Sequence, residues 1–286
     1  MKVAQEYIKN VDKLVPCPRV ALDVMAIAND PDADTAKLAA RIEQDPLLTA
    51  NMLRFANSAY FGHMKKINSI ADIIMRLGLE SVKLIAIAGA SAGLLKSGQE
   101  AYGLDTGQLA RHSFASAVLA GILGRRAGAR EIDALFTAAL LHDVGKIVLN
   151  RHLQQALYAG GGLLTGRFTL LEMEHSLLHT DHARVGMLLL RQWGLADKIA
   201  VPVGLHHTLD HPKSKFLFCR VVYLANQLTE EVGIHAVDPA AQFFDVAACR
   251  ERSEDFPIVP GFIEHMEEIM AEFHDRYQET VETFVL

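Results

Sequence analysis

The sequence predicts an all-α fold in two helical subdomains, and three observations carry that prediction. Apolar residues recur at spacings of three and four along most of the chain, the spacing of one helix face. Alternation of Val, Ile and Thr over the length of a strand is missing. Ala and Leu abound while aromatics are only 7% of the residues, a mixture suited to helices packed closely on one another.

Taken in order, residues 1–15 read as a short amphipathic helix closed by Pro16-Cys17-Pro18. Arg19 to Ala28 follows, with Val20, Val24 and Ile27 on one face, and Asn29-Asp30-Pro31-Asp32 breaks it. Asp34 is placed to cap a helix that turns Leu38 and Ile42 inward. Asp45-Pro46 is a restart, since Asp accepts from free amides and Pro is tolerated at the first helical position. That helix points Leu48, Met52, Leu53 and Phe55 at a core and ends in Asn57-Ser58-Ala59-Tyr60-Phe61-Gly62, either an interaction surface or a turn anchored by Tyr60 and Phe61. Ser69 caps the next helix, Gly78 stops it, and Glu80 begins an apolar helix through Leu95. Lys96 to Gly107 is the expected boundary, giving subdomains 1–105 and 106–235 and a C-terminal extension 236–286 packed back on the body. Beyond it, helices are expected at 108–127, 131–150, 181–193, 196–209, 214–232 and 260–284, with one short helix in 163–180 after the break at Gly160-Gly161-Gly162. No Gly-Lys-Ser/Thr follows those glycines, so they are not a phosphate loop.

Composition narrows the function classes. A net charge of −6 gives no general grip on nucleic acid. Cys17, Cys219 and Cys249 are scattered and odd in number, as free thiols of a reducing compartment are. The most apolar run, Leu84 to Leu95, falls short of the roughly 20 residues a membrane span needs, and Met1 to Val15 lacks an uninterrupted signal-peptide core. A cytoplasmic location without membrane attachment is expected.

The stretch richest in chemistry is Leu140-Leu141-His142-Asp143-Val144-Gly145-Lys146-Ile147. If it is helical, His142 and Lys146 share a face with Asp143 beside them. Neutral imidazole and ionised carboxylate bind divalent metals, and lysine suits a phosphate; the alternative is a helix end in solvent. The chain holds 13 histidines, and His112, His142, His182, His206 and His207 each fall near a helix end. In a bundle, several such ends can pool ligands around one point. His175, His179 and Asp181 lie just before His182, as outer contacts of the ligands or as a solvated face. Arg125-Arg126 reads as solvated charge, and the last helix carries an acidic face (Glu264, Glu267, Glu268, Glu272) opposite an apolar stripe expected to dock on its own core.

The order His112, His142-Asp143, His182, His206-His207 resembles the HD superfamily of metal-dependent phosphohydrolases, most of all its HD-GYP branch, which acts on cyclic dinucleotides. Pro46-Leu47-Leu48, Leu53-Arg54-Phe55-Ala56-Asn57-Ser58-Ala59-Tyr60-Phe61-Gly62, Ile67-Asn68-Ser69-Ile70 and Arg76-Leu77-Gly78 resemble the HDOD domain, an HD-related output module of bacterial signalling proteins. The resemblance covers about residues 12–230 and implies an HD-like bundle in the second half. It also implies metal ligands at His112, His142, Asp143, His182, His206 and His207. Asn226 stands where an active HD site has aspartate, and an amide oxygen ligates without charge. Gln108 stands where some HD-GYP relatives carry a glutamate ligand, and Gly-Tyr-Pro is missing after His206-His207. Asp143 is thus the one anionic ligand among the matched positions, which suits one divalent ion (Fe, Mn, Zn or Mg) better than a bridged pair.

The function that this resemblance implies is a signal-transduction output module working through protein partners of its pathway. The second reading is a metal-dependent phosphodiesterase, with the ion activating water and Asp143 and Lys146 as catalytic groups. The third is a module that senses a nucleotide ligand without turning it over.

Overall fold

Asp34, Asp45 and Ser69 all begin helices by accepting from amides that the first turn leaves without partners. Asp34 takes the amides of Ala36 and Lys37, Asp45 that of Leu48 ahead of Pro46, and Ser69 that of Asp72. The structure is a computed structural model that describes residues 2–9, 19–28, 30, 34–57, 66–159, 168–235 and 265–284. Expectations about Pro16 to Pro18, Ser58 to Gly62 and Gly160 to Gly162, and about Cys17 and Cys249, lie outside the described residues.

The helices of the first half are α1 (Lys2–Ile8), α2 (Arg19–Ala28), α3 (Thr35–Glu43), α4 (Pro46–Ala56) and α5 (Ile70–Leu95). Gly78, at φ 76° and ψ 168°, breaks α5 where the sequence predicts a stop, a backbone shape that glycine adopts without a Cβ penalty. Those of the second half are α6 (Gln108–Arg126), α7 (Ile132–Leu140), α8 (Val144–Ala159), α9 (Leu170–Leu178), α10 (His182–Gln192), α11 (Asp197–Leu205) and α12 (Leu217–Glu231), followed by α13 (Met266–Phe284). Among the described residues there is no strand, and Gln99 and Leu104 form an isolated bridge. The fold is all-α, and no described helix is long and apolar enough to cross a membrane.

Helix α6 is the axis of the second half. Its run of Ala, Ser and Gly is buried almost end to end, and it packs against α7, α12 and α13. Small side chains let the neighbouring helices come close: a Cβ at Gly124 would lie 2.3 Å from Leu135 Cδ2. The apolar stripe of α13 docks on this axis through Ile269 and Phe273, both buried. Arg125 and Arg126 are not simply solvated: they meet Glu272, and Arg126 also meets Glu268, so part of the acidic face of α13 turns back onto α6.

The helix expected over 131–150 is two helices. Leu141, His142 and Asp143 form a turn between α7 and α8, and the shared helical face inferred for His142 and Lys146 does not exist. The turn arises because α7 is capped at Leu141, whose amide still reaches Thr137 O, while the Lys146 amide begins α8 on Asp143 O. Asp143 thereby sits at the positive end of α8, where a carboxylate is favoured.

Candidate metal centre

Helix ends and one helix interior bring the predicted donors together. His112 comes from the second turn of α6, His142 and Asp143 from the α7–α8 turn, and Lys146 from the first turn of α8. His182 opens α10 behind the Asp181 cap, His206 and His207 follow the end of α11, and Asn226 lies within α12. Every one of these except His207 is buried, with His112, His142, His182 and His206 at 0% exposure.

What brings α10 against the turn is a pair of facing glycines. The Gly145 position touches α10 backbone, since a Cβ there would stand 1.9 Å from His182 O and 2.8 Å from Gly186 N. Only glycine lets α8 and α10 approach so closely, and that approach sets His182 beside Asp143.

Four imidazoles are oriented from outside. Nδ1 of His142 donates to Ala139 O (2.6 Å), of His206 to Val203 O (2.6 Å), of His112 to Ile234 O (2.7 Å) and of His182 to Glu174 Oε2 (2.8 Å). Each acceptor is oxygen without a proton to give, so Nδ1 carries the hydrogen and a neutral ring turns its Nε2 lone pair inward. Those lone pairs meet: His112 and His142 Nε2 are 3.1 Å apart, His182 and His206 3.3 Å, and His182 and His207 3.0 Å. Facing lone pairs repel unless a cation or proton lies between them.

The donors fall into two sets that share Asp143: His112 and His142 on one side, His182, His206 and His207 on the other. Asp143 Oδ2 accepts a 2.7 Å hydrogen bond from the Lys146 ammonium, which supplies positive charge to the first set. Oδ1 faces the second set, 3.2 Å from His182 Nε2 and 3.6 Å from His206 Nε2, and while the His182 ring is neutral it has no hydrogen bond of its own. A metal with bonds of roughly 2.0–2.1 Å and tetrahedral geometry spaces its ligand atoms roughly 3.3 Å apart. The second set matches that spacing, and an orphaned buried carboxylate oxygen is what an ion would satisfy. The residues fit a divalent cation held by Asp143, His182, His206 and His207.

Electrostatics agree with a site awaiting positive charge. Burial by itself would raise the Asp143 pKa, but the Lys146 ammonium and the neighbouring imidazoles hold it well below the usual carboxylate range. Burial, reinforced by the other histidines, pushes His206 down to about 3 and His207 well below its ordinary value; burial likewise lowers His112 against the pull of Glu230. His182 goes the other way: against its burial, Glu174 and Asp143 raise it to about 9. Without an ion, His182 is therefore the group that takes up a proton.

Glu174 is the residue that the sequence reading passed over. It is fully buried; Oε2 accepts from both the amide and Nδ1 of His182, and Oε1 accepts from the Tyr102 hydroxyl at 2.7 Å. Asp143 is then not the only anion of the centre, since a second carboxylate stands behind one ligand. The signal was present: Glu174 shares a face of α9 with Leu170 and Leu178, and an acid on an apolar stripe needs a partner. Asn226 Oδ1 lies 3.0 Å from His112 Nε2, and Gln108 Oε1 accepts from the Asp105 amide. His175 is exposed and pairs with Asp181, whose carboxylate caps α10, while His179 ends α9 in a left-handed conformation.

Comparison with known proteins bears on the same residues. The sequence matches the family model of the HDOD domain over residues 14–209. An uncharacterized protein of Treponema pallidum (strain Nichols) is 22% identical over 225 residues, 75% of this chain and 42% of that protein, so the chain spans less than half of this relative's length. Among solved structures, an HDOD domain protein of unknown function from Geobacter sulfurreducens is 25% identical, with TM-score 0.66 over 96% of this chain and 97% of that one. A candidate metal-dependent phosphohydrolase from Shewanella amazonensis SB2B is 19% identical, with TM-score 0.66 over 99% of this chain and 100% of that one, a likeness of fold alone. With the family match spanning well over half its length, the chain belongs to the HDOD family.

Proposed function

We propose that this chain is a signalling output module whose buried His/Asp centre holds one divalent ion, and that it acts through contacts with protein partners rather than by turnover. The observation that carries this reading is the burial of the charged centre. Lys146 and Asp143 are 2% and 1% exposed and are bonded to each other, so the ammonium is engaged before any phosphate arrives. Asn226 adds no charge to balance a second dication. Three imidazoles with one carboxylate favour zinc or iron over manganese, and disfavour magnesium, which prefers oxygen ligands. In this role the ion ties α8, α10 and α11 together, and its binding energy is folding energy.

The phosphohydrolase reading is supported by the complete His/Asp set and by His207, the one donor that keeps some exposure. Elemental analysis of the purified protein, with phosphodiesterase assays on a cyclic dinucleotide and a generic phosphodiester in added iron or manganese, separates the two. About one equivalent of metal without turnover is expected. Turnover abolished in a folded Asp143→Ala variant would establish the hydrolase, and no metal under any loading condition would remove the ion from the proposal.

A further inference from the structure

Tyr102 lies in the short turn Glu100–Tyr102 of the connector between α5 and α6, and its side chain is fully buried. It touches both branches of the centre. Its hydroxyl donates to Glu174 Oε1, and Glu174 Oε2 holds His182; its ring lies under Lys146, with Nζ 5.9 Å from the ring centroid, and Lys146 holds Asp143 Oδ2. Both branches converge on the carboxylate that the two donor sets share. The connector is itself anchored: Gln99 and Leu104 exchange backbone hydrogen bonds, the Ala101 amide donates to Asn150 Oδ1, and Gln154 donates to Glu100.

We propose that Tyr102 is a positioning residue of the metal centre, through which the 96–107 connector and the occupancy of the centre are coupled. The proposal rests on the metal-holding reading above. The hydroxyl fixes the Glu174 carboxylate with Oε2 toward His182, and an ion drawing on His182 and Asp143 tightens both branches onto the Tyr102 ring and hydroxyl. Loss of such outer partners typically weakens metal binding about 10- to 100-fold.

The test is calorimetric titration with zinc of the full chain and of Tyr102→Phe, which keeps the ring and removes only the hydroxyl. Thermal melts and hydrogen exchange are recorded for both proteins with and without zinc. About 10-fold weaker binding is expected in the variant. Zinc should slow exchange in 96–107 of the wild type, and do so less in Tyr102→Phe. A merely structural loss lowers the melting temperature of metal-free and loaded protein equally, whereas coupling also shrinks the rise that zinc produces. Where Tyr102→Phe does not fold, Glu174→Gln carries the same measurements. Wild-type protein that binds zinc with a variant indistinguishable from it in affinity and exchange overturns the coupling alone. Wild-type protein that takes up no metal overturns the metal reading and the coupling together.

Discussion

Gly145→Ala puts one methyl group where α8 and α10 touch, and the outcome follows from two distances. The new Cβ would lie 1.9 Å from His182 O and 2.8 Å from Gly186 N, both backbone atoms of α10 that cannot rotate away. Relieving the first contact requires the helices to part by roughly 1 Å in an interior packed as densely as a crystal. Overpacking of this kind costs about 1–3 kcal/mol, and with backbone on both sides the upper figure applies. For a chain of this size about 3 kcal/mol corresponds to a fall of roughly 5 °C in Tm. The same displacement moves His182 away from Asp143, so metal affinity should fall with stability. Scanning calorimetry with and without zinc reads both, and Gly93→Ala is the control. Gly93 is helical with nothing within 4 Å of its would-be Cβ, so alanine there should leave Tm unchanged or raise it. A Gly145→Ala protein that melts within about 1 °C of wild type and binds zinc normally would refute the close-approach argument.

Metal affinity should rise about tenfold per pH unit between pH 6 and 8 and level off above about 9, because the ion must displace the proton that Glu174 and Asp143 hold on His182. His206 and His207 are already neutral there and add no slope, so a flat profile by zinc titration would count against the assigned roles. The same raised pKa makes the His182 proton stabilise metal-free protein below its ordinary value of 6.5, a contribution lost as pH rises through about 9, so the metal-free melting temperature should fall over that window. Asn226→Asp restores a carboxylate 3.0 Å from His112 Nε2; metal analysis should show tighter or additional binding, with lower stability when no metal is present. On α13, Phe273→Ala should cost about 3–5 kcal/mol in urea unfolding, whereas Arg126→Ala, whose pairs with Glu268 and Glu272 are partly exposed, should cost less than about 1 kcal/mol, shrinking further in salt.

The helices and the donor list were legible in the sequence because both depend on neighbours along the chain. Asp34, Asp45 and Ser69 cap the helices they precede, Gly78 breaks α5, and the apolar stripes that face the core do so at helical spacing. His112, His142, Asp143, His182, His206 and His207 stood out as polar residues near helix ends. Reading 131–150 as one helix failed because the apolar pattern runs on through Leu140 and Leu141 while the hydrogen bonds stop there.

Only the tertiary structure decided how those donors are used. The division into two sets around Asp143, the Lys146 ammonium on one carboxylate oxygen and the orphaned second oxygen all depend on how closely helices distant in sequence approach. Glu174 and Tyr102 enter the centre through a contact between residues 72 apart. Arg125 and Arg126 likewise meet Glu272 only after α13 has docked. A cap or a stripe is set by the next turn of chain, so the sequence by itself determined the helices and the chemistry they carry. Which lone pair faces which is set by the approach of α8 to α10 across two glycines, and that distance exists only in the folded molecule.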